Sequence, residues 1–453
     1  MKAKRLMALT LAMLMASTSL AGCSGSKDGS SSTPAASAAA STAESTAASA
    51  ATSTGVDPNI NATITIFTNR TDMSDVFDGY ATKFKEKFPN VTLKFDSSTD
   101  YQGDQTKRMS TEDYGDVFFI PSNIASVKSN LATYCEPMGK YDELKTTYNY
   151  LSNYNVDGTV YALPDGANAS GFVYNDQVLK DAGITKLPET TDEFTAMLKA
   201  IKEKTKAIPL YSNYKDGWPL TNYSREILTG LSQDKNYVNE MITNKSEFLS
   251  GSAEYTSLKI LYDSVKNKYC EVDPITSNWE NSKQMMADGK IAVMCLGSWA
   301  VGQIKALSKT PDDIKFMPAP ARKDGKALDQ IGADYGVAVN KHGKNIPLAK
   351  EVVKFFVEQY PTDSNMISSL TNAELPAFIK GVQNIDLQEN TEMTEAQATA
   401  LDTIQKESLI NLYDNTWIKT VIEMGLGTNK TSFDDYMGQL NKKWVKGIEK
   451  ASK

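Results

Sequence analysis

The chain has 453 residues, 41% hydrophobic and 23% charged, with 48 Lys and Arg against 55 Asp and Glu and a net charge of −7. That size suits two or three lobes whose core needs no metal or disulfide staple. The acidic balance excludes nucleic acid or an anionic membrane face as the main partner, since both need clustered positive charge. A single histidine, His342, removes the commonest base of hydrolytic triads and the commonest zinc ligand. It sits in Asn340-Lys341-His342-Gly343-Lys344, a polar stretch that reads as exposed loop.

The first segment is an address. Lys2, Lys4 and Arg5 precede the apolar run Leu6 to Met15 and the small residues Ala16 to Ser19, the order of a secretory signal peptide. It is too short for a membrane span, and no later segment has the uninterrupted apolar length of one. Leu20-Ala21-Gly22-Cys23 resembles the lipobox of bacterial lipoproteins. That resemblance implies cleavage after residue 22 and a diacylglyceryl group on Cys23, which anchors the chain to the extracellular side of the cell membrane. Residues 24–56 are almost only Ser, Ala and Thr, too poor in apolar surface to fold. They read as a flexible tether spanning about 30 Å. The signal peptide is thus 1–22 and the lipidated cysteine with its tether 23–57. Loss of Lys2, Lys4 and Arg5 takes the net charge from −7 to −10.

Cys135, Cys270 and Cys295 lack metal-ligand spacing, so neither a metal nor a cofactor is expected. A disulfide from Cys135 to Cys270 or Cys295 stays open in an exported protein. Cys295, inside Ile291 to Leu296, reads as a buried small hydrophobe.

The folded part opens with Thr63-Ile64-Thr65-Ile66-Phe67, alternating and β-branched, hence a strand. Phe77, Ala81, Phe84 and Phe88 carry a helical stripe ended by Pro89-Asn90. Val91 to Phe95 is a second strand, and Val117 to Ile120 a strand buried on both faces. This is the βαβ rhythm of an open α/β sheet, in which ligands sit at the carboxyl ends of strands. Asn69-Arg70 and Ser122-Asn123 occupy two such ends. Asp157-Gly158 is a turn between short strands. Phe172 to Asn175 is a strand, and Gln177 to Ala182 a helix closed by Gly183. Thr191 or Asp192 is placed to cap a helix running to about Lys204. Asn281 to Asp288 reads as helix and Ile291 to Leu296 as buried strand. Ala349, Val352, Val353, Phe356, Val357 and Tyr360 share a helical stripe, and the last 60 residues or so are mainly helical.

Taken in order, these pieces resemble the extracellular solute-binding proteins of ABC importers, in particular the carbohydrate-binding, maltose-binding-protein-like group. The matching pieces are Ile64 to Phe67, Gly115-Asp116-Val117-Phe118, Tyr161-Ala162-Leu163-Pro164 and Val173-Tyr174-Asn175. Met286 to Met294, Gly297-Ser298-Trp299, Phe316-Met317-Pro318-Ala319-Pro320 and Gly336 to Val339 complete the set. The resemblance implies two α/β lobes of the type II binding-protein fold, each a mixed sheet flanked by helices, closing on a solute. The crossings are expected near Gly166 and between Ile331 and Gly336. One lobe is then 58–166 with 336–375, and the other 167–335 with 376–453. The partners implied are a carbohydrate ligand and the transmembrane subunits of an ABC permease, met by a monomer. No phosphate-binding loop is present to supply the energy for transport.

A sugar needs an aromatic platform and groups that both give and accept hydrogen bonds. By resemblance Trp299 takes the place of the family's sugar-stacking tryptophan. Asn168 stands where the family uses a carboxylate, a departure that alters charge complementarity. Ser122 and Asn123 follow a strand where the family places polar binders, and Asn69 and Arg70 end the first strand. Trp218, in Asp216-Gly217-Trp218-Pro219, lies in a loop expected to line the far lobe, and Asp334 adjoins a crossing. The residues leave two rivals open. One is a binder of peptide, polyamine or anion, favoured by Asp334 for a cation or Arg70 for an anion. The other is a glycoside-active enzyme, which needs two carboxylates facing across a cleft. No motif pairs such carboxylates, so no catalytic residue is expected.

Overall fold

The computed structural model describes residues 55–125 and 128–453, without the side chains of Ser122, Asn123 and Lys128. The signal peptide, Cys23 and all but the last residues of the tether lie outside that description. Two larger sheets organise the chain. In the first the strand order is Val91–Ser97, Ala62–Thr68, Val117–Phe119, Gly336–Val339, Ala162–Pro164. The first three strands run parallel and the last two join antiparallel. In the second the order is Ile208–Tyr211, Ile291–Cys295, Phe172–Asn175, Ile314–Met317, with only the first pair parallel. Both are mixed sheets flanked by helices.

Each sheet has its own core. The first buries Phe77, Tyr80, Phe84 and Phe88 against Phe356 and Tyr360 of the helix Ile346–Asp363. Phe77 stacks on Phe95 at 4.3 Å between centroids. The expected helix through Phe88 ends at Phe84 (Ser74–Phe84); a tight turn still delivers Phe88 to the core, 5.1 Å from the Phe84 ring. The second sheet packs on the helices Thr191–Lys204, Ala253–Lys266, Thr416–Leu426 and Phe433–Ala451. Trp444 is fully buried there, its indole N–H donating to the Met241 carbonyl at 3.0 Å. A third cluster covers the other face of this sheet with the helices Trp279–Ala287 and Trp299–Lys305.

Three chain segments pass between the two sheets. The Asp165 amide donates to the Tyr335 carbonyl at 2.9 Å and the Asp334 amide to the Gly166 carbonyl at 3.0 Å. The Ala167 amide donates to the Ile367 carbonyl at 2.7 Å. Beyond them Ala167–Ala169 pairs antiparallel with Ala327–Ala333. Gly336 is required where the first sheet resumes, since a Cβ there would lie 2.5 Å from the Tyr154 ring.

Local differences from the sequence reading are small and physical. Asp157 (φ 48°) and Gly158 (φ 78°) make the expected tight turn, the conformation a two-residue hairpin needs. The helix of Thr191–Lys204 is capped by Thr190, whose hydroxyl accepts from the Glu193 amide at 3.2 Å, not by Thr191 or Asp192. Helix Asn281 to Asp288 instead starts at Trp279, because Asn278 caps it by accepting from the Asn281 amide at 2.9 Å. Cys135, Cys270 and Cys295 are all buried free thiols, so the disulfide left open is not formed. His342 is in an exposed loop, its backbone N–H donating to Asn340 Oδ1 at 2.8 Å.

Candidate functional site

Trp218, Trp279 and Trp299 form one cluster at the carboxyl ends of the second sheet's parallel strands. Trp299 opens a helix four residues after the end of the fully buried strand Ile291–Cys295. Trp218 follows Ile208–Tyr211 and starts a 3-10 helix, Trp218–Ser224. Gly217 takes φ 77° to turn the chain there, a conformation glycine adopts freely. The carboxylate of Asp216 accepts from the Trp279 amide at 2.5 Å and so ties the two loops together. The ring centroids lie 5.2 Å (218 to 279), 5.7 Å (218 to 299) and 5.6 Å (279 to 299) apart. Trp218 keeps 39% of its surface exposed and the other two are half-buried. Large indole faces left to solvent lose the burial that stabilises a core aromatic, so they are poised for an apolar or sugar face.

Beside the tryptophans, Ser298 Oγ accepts from the Ala169 amide at 3.0 Å and lies 3.5 Å from Asn168 Oδ1. Among the described residues the Asn168 amide nitrogen makes no hydrogen bond, so a donor remains at the crossing. Lys283 Nζ lies 5.2 Å from the centre of the Trp279 ring, pairs with Glu280 at 2.8 Å and donates to Gln303 at 3.2 Å.

The opposite wall comes from the loop after the first strand. Arg70 donates through Nε and Nη2 to both Asp72 oxygens at 2.8 Å, and through Nη1 to the Tyr360 hydroxyl at 2.8 Å. Its side chain is only 12% exposed. The guanidinium therefore braces this loop on the helix Ile346–Asp363. Burial works to raise the Asp72 carboxyl, but the Arg70 bond outweighs it and holds Asp72 below its ordinary value, with Lys283 adding a smaller pull. Asp72 and Lys283 thus face one another electrostatically from the two walls. Asn69 is half-buried next to Arg70.

The crossings form the floor. Asp165 is fully buried, with Oδ1 accepting from the Tyr335 amide at 2.9 Å and Oδ2 unpartnered. Burial, then the charge of Asp334, pushes the Asp165 carboxyl well up. Asp334 is half-buried and raised to about 6, chiefly by burial, with Arg70 opposing and Glu226 adding. Glu226 itself accepts from Ser170 Oγ at 2.9 Å.

The structure thus joins Trp218 with Trp299, sets Asn168 beside them, and places Asp334 under the influence of Arg70. Ser122 and Asn123 form the start of a short helix, Ser122–Ala125, after Val117–Phe119, and their side chains lie outside the described residues. Sequence reasoning missed Trp279, Asp165, Asp72, Lys283 and Glu226. Trp279 carried a signal, the capping Asn278 immediately before it. The others are assembled by contacts far apart in the chain. Among the described residues no cluster of three His, Cys, Asp or Glu fits a metal ion, and no helix is long and apolar enough to cross a membrane.

Residues 68–359 match the profile of the bacterial extracellular solute-binding protein family. An ABC-transporter binding protein from Bifidobacterium animalis subsp. lactis, solved with mannobiose, is 31% identical. It covers 86% of this chain and 95% of its own, with a TM-score of 0.79. A manno-oligosaccharide-specific solute-binding protein from the same organism, solved with mannotriose, is 30% identical at the same coverage, with a TM-score of 0.80. The melibiose/raffinose/stachyose-binding protein of Bacillus subtilis is 27% identical over 337 residues, 70% of this chain and 76% of that one.

Proposed function

The chain belongs to the bacterial extracellular solute-binding protein family, and on that premise we propose that it captures a saccharide between two lobes and hands it to an ABC permease. The observation that carries the ligand class is the partly exposed tryptophan trio beside the free amide of Asn168. Aromatic faces hold the apolar side of a sugar ring while amide and carboxylate groups meet its hydroxyls. The relatives solved with mannobiose and mannotriose support the same class. Trp218, Trp279 and Trp299 supply the platform and Asn168 and Asp334 the hydrogen bonds, with Asn69 and the strand-end residues Ser122 and Asn123 as further polar groups for the sugar. Arg70 acts by holding the opposite wall, since Asp72 and Tyr360 already occupy most of its donors.

In this reading one lobe comprises 58–166 with 336–375 and the other 167–335 with 376–453, supported by the separate cores and the backbone bonds at the crossings. A lipid on Cys23 and the tether after it keep this monomer at the outer membrane face. The protein binds without transforming its ligand. Asp165 and Asp334 are neighbouring carboxylates at the crossings, but Asp165 is sealed from solvent and bonded to backbone.

A ligand that binds only the folded state stabilises it by about 2.7 kcal/mol at a hundredfold excess over Kd. Thermal-shift measurements on the mature chain with mannobiose, mannotriose, raffinose and stachyose, beside peptides and polyamines, test the proposal. A saccharide that raises the melting temperature supports it; a response to peptides or polyamines alone refutes it.

A further inference from the structure

The sequence pattern leaves one exposed aromatic unexplained. Tyr413 is 57% exposed in the loop between the helices Glu395–Ser408 and Thr416–Leu426. It is not loose: the Arg225 guanidinium carbon lies 4.0 Å from its ring centre, a cation–π contact that fixes one face and leaves the other open. Arg225 pairs with Glu226 at 3.2 Å, and Glu226 holds Ser170.

The position of this group follows from the strand Ala167–Ala169. Ser170 extends that strand, its amide donating to the Gln330 carbonyl at 3.0 Å. Residues two apart on a strand share a face. Asn168 and Ser170 are therefore neighbours on one face, about 7 Å apart at two strand rises. Asn168 leads through Ser298 to Trp299, and Ser170 leads through Glu226 and Arg225 to Tyr413. The segment 412–415 also runs along the 3-10 helix that starts at Trp218. Ser224 Oγ lies 3.4 Å from the Leu412 carbonyl, and a Cβ on Gly217 would lie 2.6 Å from Asn415 Oδ1.

We propose that Tyr413, Arg225 and Glu226 form a second saccharide subsite, set beside the tryptophan platform, so that the ligand is an uncharged oligosaccharide of at least two rings. The open face of Tyr413 stacks on a ring, and the Arg225 donors and Glu226 oxygens meet its hydroxyls. The mutual pairing of Arg225 and Glu226 cancels their charge, which suits a neutral sugar over a uronate. This subsite rests on the saccharide reading above, and the test separates the two.

Calorimetry on the mature chain compares two length series, mannose to mannotriose and melibiose to stachyose, for the natural protein, Tyr413→Ala and Tyr413→Phe. The expected result is an affinity that rises with length in the natural protein. In Tyr413→Ala the longest ligand should lose about tenfold in affinity while the shortest binder changes less than twofold. Tyr413→Phe should retain the length dependence, because stacking survives loss of the hydroxyl. An equal effect of Tyr413→Ala at every length, or none at any, overturns the subsite and leaves saccharide binding intact. Binding of neither series by the natural protein overturns the saccharide reading and the subsite with it.

Discussion

The two walls of the cleft are built on opposite principles. The wall from the first sheet is charged and internally satisfied: Arg70 spends its donors on Asp72 and Tyr360, and Tyr80 donates to Asp363 at 2.7 Å. The wall from the second sheet is aromatic and unsatisfied, with three indoles in mutual contact and Trp218 open to solvent. A saturated wall has little left to give a ligand and serves as a rigid jaw. An open aromatic wall gains by covering itself. On the proposed reading, ligand capture falls to the second wall and shape to the first.

The largest expected effect breaks the first wall. Arg70→Ala leaves the buried Tyr360 hydroxyl without its partner and Asp72 without its counter-charge. It should destabilise the protein by about 3 kcal/mol, read as a lower urea midpoint. Arg70→Lys should recover only part of this, since an ammonium cannot serve Asp72 bidentately. Affinity of the remaining folded protein should change little; a loss of affinity without loss of stability would turn the comparison around.

The next effect sharpens the second wall. Trp299→Ala should weaken saccharide binding by about 2 kcal/mol, a factor of roughly 30, from the lost stacking and apolar contact. Its cost in stability should be smaller than that of Arg70→Ala, because the indole is only half-buried. Titration by calorimetry gives the first number and urea unfolding the second.

The floor between the walls should show a pH dependence. Asp334 is raised to about 6 in the folded protein, from near 4 when unfolded. The folded state therefore holds this proton more tightly. The stabilisation is complete below about 4 and is lost as pH rises through about 6. Asp165, also raised, acts in the same direction. Asp334→Asn should flatten the melting temperature between pH 4 and 7 and raise stability at pH 7.5 by about 1–2 kcal/mol, reduced for solvent access. An unchanged slope would exclude Asp334 as its source. The smallest effect is that of His342→Ala, in an exposed loop, which should move stability by less than about 0.5 kcal/mol.

Much of the second wall was legible in the sequence, because its elements are local. The buried run Ile291 to Leu296 followed by Gly297-Ser298-Trp299 places an indole at a strand's carboxyl end, and Gly217 before Trp218 announces a turn. Trp279 was missed by a helix start two residues late, although Asn278 marked the cap. The first wall was legible only in outline. Arg70 stood at a strand end, where it reads equally as a ligand-binding cation. Its actual partner Tyr360 lies 290 residues away, and no local pattern joins them. The same holds for Asp165 and Asp334, brought together only where the crossing segments exchange backbone bonds.

The most direct measurement is intrinsic tryptophan fluorescence of the mature chain titrated with mannobiose, mannotriose, raffinose and stachyose, for the natural protein and Trp299→Ala. The trio should report binding as a saturable spectral change with at least one of these sugars, weakened about 30-fold in the variant. Saturable binding of a sugar with the same affinity in Trp299→Ala would contradict the assignment of capture to the aromatic wall. No response to any saccharide, beside a clear response to a peptide or polyamine, would contradict the ligand class itself.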